Sequence, residues 1–418
     1  MVIPVESSFW TRRRIAVLAV TLVLSLLSAR SALTAVTARS APSVALAVSP
    51  ASPAALVGKG EANFLAALTS GKTQPIVALG KPAKRALEEQ PLSPLAIRQL
   101  AYAQLLAGRG KQGNRLLALA RTATRRDFGV QLWSIEKAVE RNDLNGAIRG
   151  YVSTMDVLDE SWGILFPRLG AALGNDEIVE KLAPYIRSGG RWVVPFLNAT
   201  LAAPGSELPV VRLMKKVGQM PPEVRSDGFD KSLARVLLAR GRYAEARAYY
   251  LSLPYAKPSL LEDVTITSQT AMDQHGPLAW QLSDQLSTGA VMDSDSTISA
   301  FADDSVRGVV ARKVLYLPAG DYRFSQRYGD VEMPDGGFVQ WELLCVDGNG
   351  VASSAWKSAE IRPKAGALMQ FSVAVPSGCV GQTMQLLVAG GIDRNRTNVT
   401  LTALKIVKSP NTTKPVGA

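Results

Sequence analysis

The spacing of apolar residues changes period once along this chain, and the change falls at Gly276-Pro277. Upstream, apolar residues recur every three to four positions, the repeat of a helix that buries one face. Downstream they alternate singly. Val339, Trp341, Leu343 and Cys345 interleave with Phe338, Gln340 and Glu342, and Met369, Phe371, Val373 and Val375 with Gln370, Ser372 and Ala374. A period of two sends successive side chains to opposite faces of a strand. No single packed layer serves both periods, so the chain has to build a helical part and a strand part. Its 418 residues are enough for two or three domains.

In the helical part, one stretch fixes how the helices connect. Within Arg240-Gly241-Arg242-Tyr243-Ala244-Glu245-Ala246-Arg247-Ala248-Tyr249-Tyr250-Leu251, a helix stops at a glycine and a second begins at once. Ala246 then sits where two helices must touch, and the aromatic Tyr250 follows four positions later. Two earlier stretches share the plan. In one, Ile97, Leu100 and Ala101 precede the turn at Gly108, with Gly113, Leu117 and Ala120 after it. In the other, Trp133 and Ala138 precede Asn142-Asp143, with Ala147 and Tyr151 after it. These hairpins resemble tetratricopeptide repeats, units that stack into solenoids and hold other molecules on a concave face. The third is closest to that pattern. Between Trp162 and Glu223, Pro167, Gly174, Gly189-Gly190, Pro204, Pro209 and Pro221-Pro222 interrupt the helical spacing, which predicts irregular helical repeats. Most apolar residues named here are core residues. Arg121, Arg125 and Arg126 are explained by a helix C-terminus, where cations complement the dipole.

In the strand part, Tyr322, Phe324 and Tyr328 alternate with Arg323, Ser325 and Arg327, and further strands are predicted at Trp280–Ser283, Thr297–Phe301, Ala311–Leu317, Thr383–Ala389 and Asn398–Val407. Turn signals separate them: Pro318-Ala319-Gly320, Pro334-Asp335-Gly336-Gly337, Asp347-Gly348-Asn349-Gly350 and Pro376-Ser377-Gly378. Eight short antiparallel strands at this spacing predict a β-sandwich. Over Gly276–Lys408 the pattern, with Leu317-Pro318-Ala319-Gly320-Asp321-Tyr322, resembles the jelly-roll sandwich of carbohydrate-binding modules. That resemblance implies glycan binding. Trp341 shares the inward face with Cys345 and belongs to the core. Trp356 lies outside any stripe and is the candidate glycan-contacting aromatic, with a half-buried edge position as the plainer alternative.

Arg12, Arg13 and Arg14 precede an apolar run, Ile15–Ala29. Arginines there stay cytoplasmic and send the remainder outward. A signal peptide cleaved after Val36-Thr37-Ala38 competes with an uncleaved anchor of about 20 residues in which Arg30 snorkels to the outer interface. The anchor is preferred, because Ala35–Val48 reads as helix leading on, with Pro42 placed in a first turn. In an exported chain the two cysteines, Cys345 and Cys379, are expected to form a disulfide worth about 3–4 kcal/mol.

Charge is unevenly placed. Of 47 basic and 35 acidic residues, 34 and 22 precede His275, so the whole excess of +12 lies there. Such an excess is ordinarily a solvated face, and otherwise a surface for anionic partners. No nucleic-acid-binding motif is present, and no cofactor or metal motif either. His275 is the sole histidine and sits in an apparent linker, which leaves no triad to assemble. Asp347-Gly348-Asn349-Gly350 is a hairpin turn rather than a calcium loop. The adjacent Asp303-Asp304 point to opposite faces and make no glycosidase pair.

The expected fold is multidomain α + β. A cytoplasmic tip and transmembrane signal-anchor (1–38) leads to a tetratricopeptide-like α-helical repeat domain (39–274), an antiparallel jelly-roll-like β-sandwich (275–408) and a disordered tail (409–418). This arrangement resembles membrane-anchored bacterial proteins associated with exopolysaccharide assembly. The resemblance implies a non-catalytic periplasmic scaffold in the inner membrane, binding protein partners of a cell-envelope complex and an anionic polysaccharide. The alternative is a polysaccharide-modifying glycoside hydrolase with a C-terminal binding module.

Overall fold

The computed structural model describes residues 7–70, 74–219, 221–226, 228–266, 268–294, 297–392 and 395–410. The tip up to Glu6 and nearly all of the tail expected over 409–418 lie outside the described residues. The chain divides into two compact units, the first ending at Leu169 and the second beginning at Gly170. That division precedes the change of period, because helices upstream of the change pack on the strands that follow it.

The first unit holds α1 (Ser7–Ser40), α2 (Pro42–Val48), α3 (Pro53–Ser70), α4 (Gln74–Val77), α5 (Gly80–Glu89), α6 (Pro94–Leu106), α7 (Gly110–Ala123), α8 (Phe128–Glu140), α9 (Leu144–Val157) and the start of α10 (Trp162–Ala172). Over Arg14–Ser40, α1 is long and apolar enough to cross a membrane, and its apolar run is exposed on all sides. Its far end is packed. Ala38 is buried with Ala45 and Ala55, and a Cβ at Gly58 would stand 2.1 Å from the Ala38 carbonyl oxygen. Glycine therefore lets α3 touch the backbone of α1. Val36-Thr37-Ala38 is helical, and the residue at the alternative cleavage point is buried. Pro42 occupies the first turn of α2, where its missing N–H is not needed. Deeper in the unit, Arg98 bridges Glu61 of α3 (2.6 Å) and Asp127, the N-cap of α8 (2.9 Å).

The helix pairs α6/α7 and α8/α9 are hairpins, and so is α15 (Phe229–Ala239) with α16 (Tyr243–Leu251) in the second unit. All three turn by one device. Gly108, Asn142 and Gly241 have φ of 76°, 55° and 72°. In each turn that residue's N–H donates to a carbonyl three positions back, and the next N–H reaches five back. The pairs are Gly108→Leu105 with Arg109→Gln104, Asn142→Val139 with Asp143→Ala138, and Gly241→Leu238 with Arg242→Leu237. This closure satisfies carbonyls that a helix end leaves open and requires a left-handed residue. Asparagine tolerates that conformation better than most, which is why Asn142 replaces glycine.

The second unit continues with α11 (Asp176–Ser188), α12 (Val193–Ala202), α13 (Glu207–Val217) and α14 (Pro222–Ser226), then α15, α16 and α17 (Gln269–His275). Among the described residues ten strands follow: β1 (Trp280–Leu282), β2 (Thr288–Ser294), β3 (Thr297–Ala302), β4 (Arg307–Leu315), β5 (Gly320–Glu332), β6 (Phe338–Val346), β7 (Ala352–Lys357), β8 (Leu368–Val375), β9 (Gly381–Ala389) and β10 (Thr397–Lys408). They form two five-stranded antiparallel sheets, ordered β1-β4-β9-β6-β7 and β2-β3-β10-β5-β8. Alternation predicts eight of the ten. The other two, β2 and β7, lie at sheet edges, and β7 is largely exposed, so no apolar alternation marks it. Trp341 is fully buried, edge-on to Phe324 (5.1 Å between ring centres) and Trp280 (6.2 Å). Cys345 and Cys379 are joined in a disulfide, with Cα atoms 5.5 Å apart.

The third hairpin is seated on the sandwich. Tyr250, Leu260, Leu261 and Leu278 form an apolar cluster with Val314 and Tyr316. Tyr316 Oη donates to the Tyr243 carbonyl (2.9 Å), and the Tyr243 hydroxyl pairs with Thr383 Oγ1 (2.9 Å). The left-handed glycine of the hairpin turn meets the β6–β7 turn backbone to backbone: a Cβ on Gly241 would lie 2.6 Å from the Cα of Gly350. Gly108 makes the same turn with a left-handed φ (76°), with open space where a Cβ would go. Alanine at either position costs about 1–2 kcal/mol of backbone strain; only at Gly241 does it also push two backbones apart. Gly241→Ala should therefore lower the urea midpoint of the second unit several-fold more than Gly108→Ala lowers that of the first. Equal losses would mean that the close approach carries no energy.

Candidate functional site

A wide concavity lined by charged side chains lies in the first unit. Three helix faces line a groove of about 1350 Å³. Helix α7 contributes Asn114, Arg115, Ala118, Arg121 and Thr122, at the three-to-four spacing of one face. From α8 come Trp133, Ser134, Lys137 and Ala138, with Arg141 just beyond its end. Gly146, Arg149, Gly150, Ser153 and Asp156 of α9 complete it. The hairpin turn at Asn142 sets α8 and α9 side by side, and Gly150 permits their contact, since a Cβ there would be 2.8 Å from Ile135.

Six cations line this groove, Arg125 being the sixth, against two carboxylates, Asp143 and Asp156. Asp143 is already used, accepting a hydrogen bond from Gly146 N (2.8 Å) as the N-cap of α9. Lys137 pairs with Glu140 (2.6 Å). Among the described residues, no carboxylate lies within ion-pair distance of Arg115, Arg121, Arg125, Arg141 or Arg149. Trp133 is half-buried, and its indole N–H donates to Asn114 Oδ1 (3.0 Å), which fixes the ring between α7 and α8. Such a surface attracts and orients anions.

The other unusual side chains are buried titratable groups of the second unit. Asp230 borders a small pocket of about 130 Å³. Its two oxygens accept the hydroxyls of Tyr249 and, at 3.2 Å, Tyr255. Burial raises the Asp230 carboxyl above the usual carboxylate range, and burial together with that carboxylate raises both tyrosine hydroxyls. These contacts tie α15 to α16 and the segment beyond it. His275 is no linker residue: it ends α17, is 3% exposed and bonds to the Tyr250 hydroxyl through Nδ1 (3.0 Å). Because that hydroxyl already accepts from Lys257 N (2.9 Å), its proton is free to go to Nδ1. Burial and the neighbouring Lys257 and Lys313 lower the His275 pKa. Lys313 lies within the sandwich, across its ladders from Trp280 and Met384, and Nζ donates to the carbonyls of Leu260 (2.8 Å) and Leu278. Burial pulls its pKa down to about 7.

The residues singled out in the sequence scatter relative to the groove. Trp356 sits on edge strand β7, half-buried, with ring centres 5.6 Å from Phe371 and 6.4 Å from Phe324. Arg121 lies in the last turn of α7, but Arg125 and Arg126 fall in the loop beyond it and are not accounted for by that helix end; Arg121 and Arg125 also border the groove. Trp133, Arg115 and Arg149 drew no functional notice in the sequence. Each looks like an ordinary residue of an amphipathic helix, and only the packing of three helices brings them together. Asp347 accepts from Asn349 N and Val351 N (2.9 Å each), closing the β6–β7 hairpin turn. No group of three or more metal-ligating side chains occurs among the described residues.

No protein-family model matches the chain, and no curated protein does. Solved structures with local likeness include a family 4 carbohydrate-binding module (13% identity, 36% of this chain and 88% of that one, TM-score 0.22). A second module of family 16 follows (10%, 35% and 98%, 0.25). A third is the CBM22-1 xylan-binding domain of Xyn10C from Paenibacillus barcinonensis (10%, 36% and 96%, 0.25).

The buried lysine generates a pH dependence whose sign follows from its surroundings. Its ordinary pKa is 10.5, and in the fold it is about 7. Between those values the unfolded chain holds a proton that the folded chain releases, so stability rises with pH across that window. In detergent-solubilised full-length protein, the urea midpoint of the second unit should climb from pH 7 to pH 9. Lys313→Met should flatten that climb. An unchanged slope in the variant would show that Lys313 stays charged in the fold.

Proposed function

We propose that this chain is a membrane-tethered binding protein that acts by holding an anionic partner rather than transforming one. The observation that carries the proposal is the groove, with its six cations and five arginines left without a carboxylate among the described residues. On this proposal α1 is an uncleaved inner-membrane anchor, supported by the continuity of its helix into packed structure at Ala38. Arg12–Arg14 would lie on the cytoplasmic side and the two units in the periplasm. The hairpins would serve as tetratricopeptide-like partner surfaces, as in a scaffold for exopolysaccharide assembly. The third hairpin is committed to the sandwich through Gly241 and Tyr243, which leaves the first two for partners.

The proposal is tested with full-length protein in detergent or nanodiscs on a polyanionic matrix. Arg141→Glu with Arg149→Glu should lower the apparent affinity about tenfold or more, since each repulsive charge acts at one multivalent surface. Arg323→Glu with Arg327→Glu, exposed on the sandwich, should leave it within about twofold. Binding unaffected by groove reversal, or turnover of a glycan by the purified protein, would overturn the proposal.

A further inference from the structure

We infer that the groove takes a linear acidic polysaccharide, a run of sugar rings carrying carboxylates along its length. The inference rests on the binding role just proposed and names its ligand. Size comes first. Small-molecule sites occupy roughly 300–1,000 Å³, and this groove of about 1350 Å³ exceeds them. A segment of polymer fills such a space better than a metabolite does.

The walls then decide which polymer. An acidic peptide that docks as an amphipathic helix needs apolar anchors at helical spacing. Here the positions between the cations are Ala118, Ala138, Gly146 and Gly150, too small to make anchor pockets. Neutral hydrogen-bonding groups, among them Gln131, Ser134 and Ser153, are interspersed with the arginines. That mixture suits a ligand with hydroxyls on every unit and a carboxylate on some of them. Arginine meets a carboxylate with two parallel N–H donors. Trp133 adds the one broad apolar surface. Its ring is held by Asn114 and is only half-buried, so it can lie against the C–H face of a sugar ring. A nucleic acid would ask for successive aromatics as stacking platforms, and among the described residues Trp133 is the single aromatic lining the groove.

The experiment uses full-length protein in nanodiscs and four probes of matched length: polygalacturonate, the same polymer with its carboxyls reduced to alcohols, polyglutamate, and a single-stranded oligonucleotide. Polygalacturonate should bind at least about tenfold more tightly than each of the others at physiological ionic strength. Trp133→Ala should bring the preference for polygalacturonate over polyglutamate close to one, and Trp133→Phe should restore part of it. Arg115→Gln, on an exposed helix face, is the second variant should Trp133→Ala fail to fold. It should weaken polygalacturonate several-fold without affecting the reduced polymer. If polyglutamate or the oligonucleotide binds as tightly as polygalacturonate, and wild type and variants rank the probes alike, the inference falls while the anion-binding role stands. If no polyanion binds at all, both fall together.

Discussion

A helix that must reverse direction within two residues leaves its last carbonyls without partners, and that constraint shapes the helical part of this chain. The left-handed residue at Gly108, Asn142 or Gly241 turns its own N–H and the next one back onto carbonyls of the helix just ended. The two helices then leave the turn side by side. Small residues must follow where they touch, which is the place of Gly113 against Leu105 and Ala101 and of Gly150 against Ile135. The hairpins are thus fixed by local chemistry, and what differs among them is which faces they leave outward.

That difference separates two uses of one device. In the third hairpin the turn itself becomes a contact. Gly241 and Gly350 approach without side chains between them, Tyr243 lies against Gly381, and an apolar cluster around Tyr250 and Tyr316 closes the seam. Lys313 brings a cost to this region, since a buried ammonium is expensive unless neutralised or fully bonded. Two carbonyls answer it, and the lowered pKa reflects what remains. In the second hairpin the outward faces carry arginine, and α7 supplies a facing wall of the same sign. One hairpin is spent on internal packing, while the other borders an open surface.

Periodicity and turn chemistry made much of the fold legible. The glycine turns, the Asn-Asp substitute and the inward place of Trp341 follow from local patterns that the structure retains, and the Cys345–Cys379 disulfide from the pairing expected of two cysteines in an exported chain. Strand β7 escaped because an exposed edge has no need of alternation, and β2 because its Thr-Gly-Ala-Val-Met-Asp-Ser sequence is weakly patterned. His275 read as a linker because its neighbours Gly276 and Pro277 are turn formers. Its burial depends on Tyr250 and Tyr255, some 20 residues earlier in the chain. The groove was legible only as an excess of charge. A helix C-terminus accounts for Arg121 and core packing for Trp133, and only the convergence of three helices joins them in one groove. Short-range patterns specify elements, whereas a site assembled from several elements is specified by how they pack.

Unpaired arginines sharing one groove repel one another, and a domain selected for stability alone gains by interleaving carboxylates among them. The first unit has carboxylates to place. Glu61 and Asp127 hold the buried Arg98, Glu140 takes Lys137, and Asp143 caps a helix. None of these reaches Arg115, Arg141 or Arg149. In the groove cations outnumber carboxylates six to two, and departures of this kind from local rules concentrate where function sets the requirement. Exposed charges are screened beyond about 8 Å at physiological salt, so a single anion gains little from so spread a set. A ligand with charges repeated along its length gains from each in turn, because every contact after the first is intramolecular. The spacing of the arginines over three helices therefore favours a polymer over any small anion.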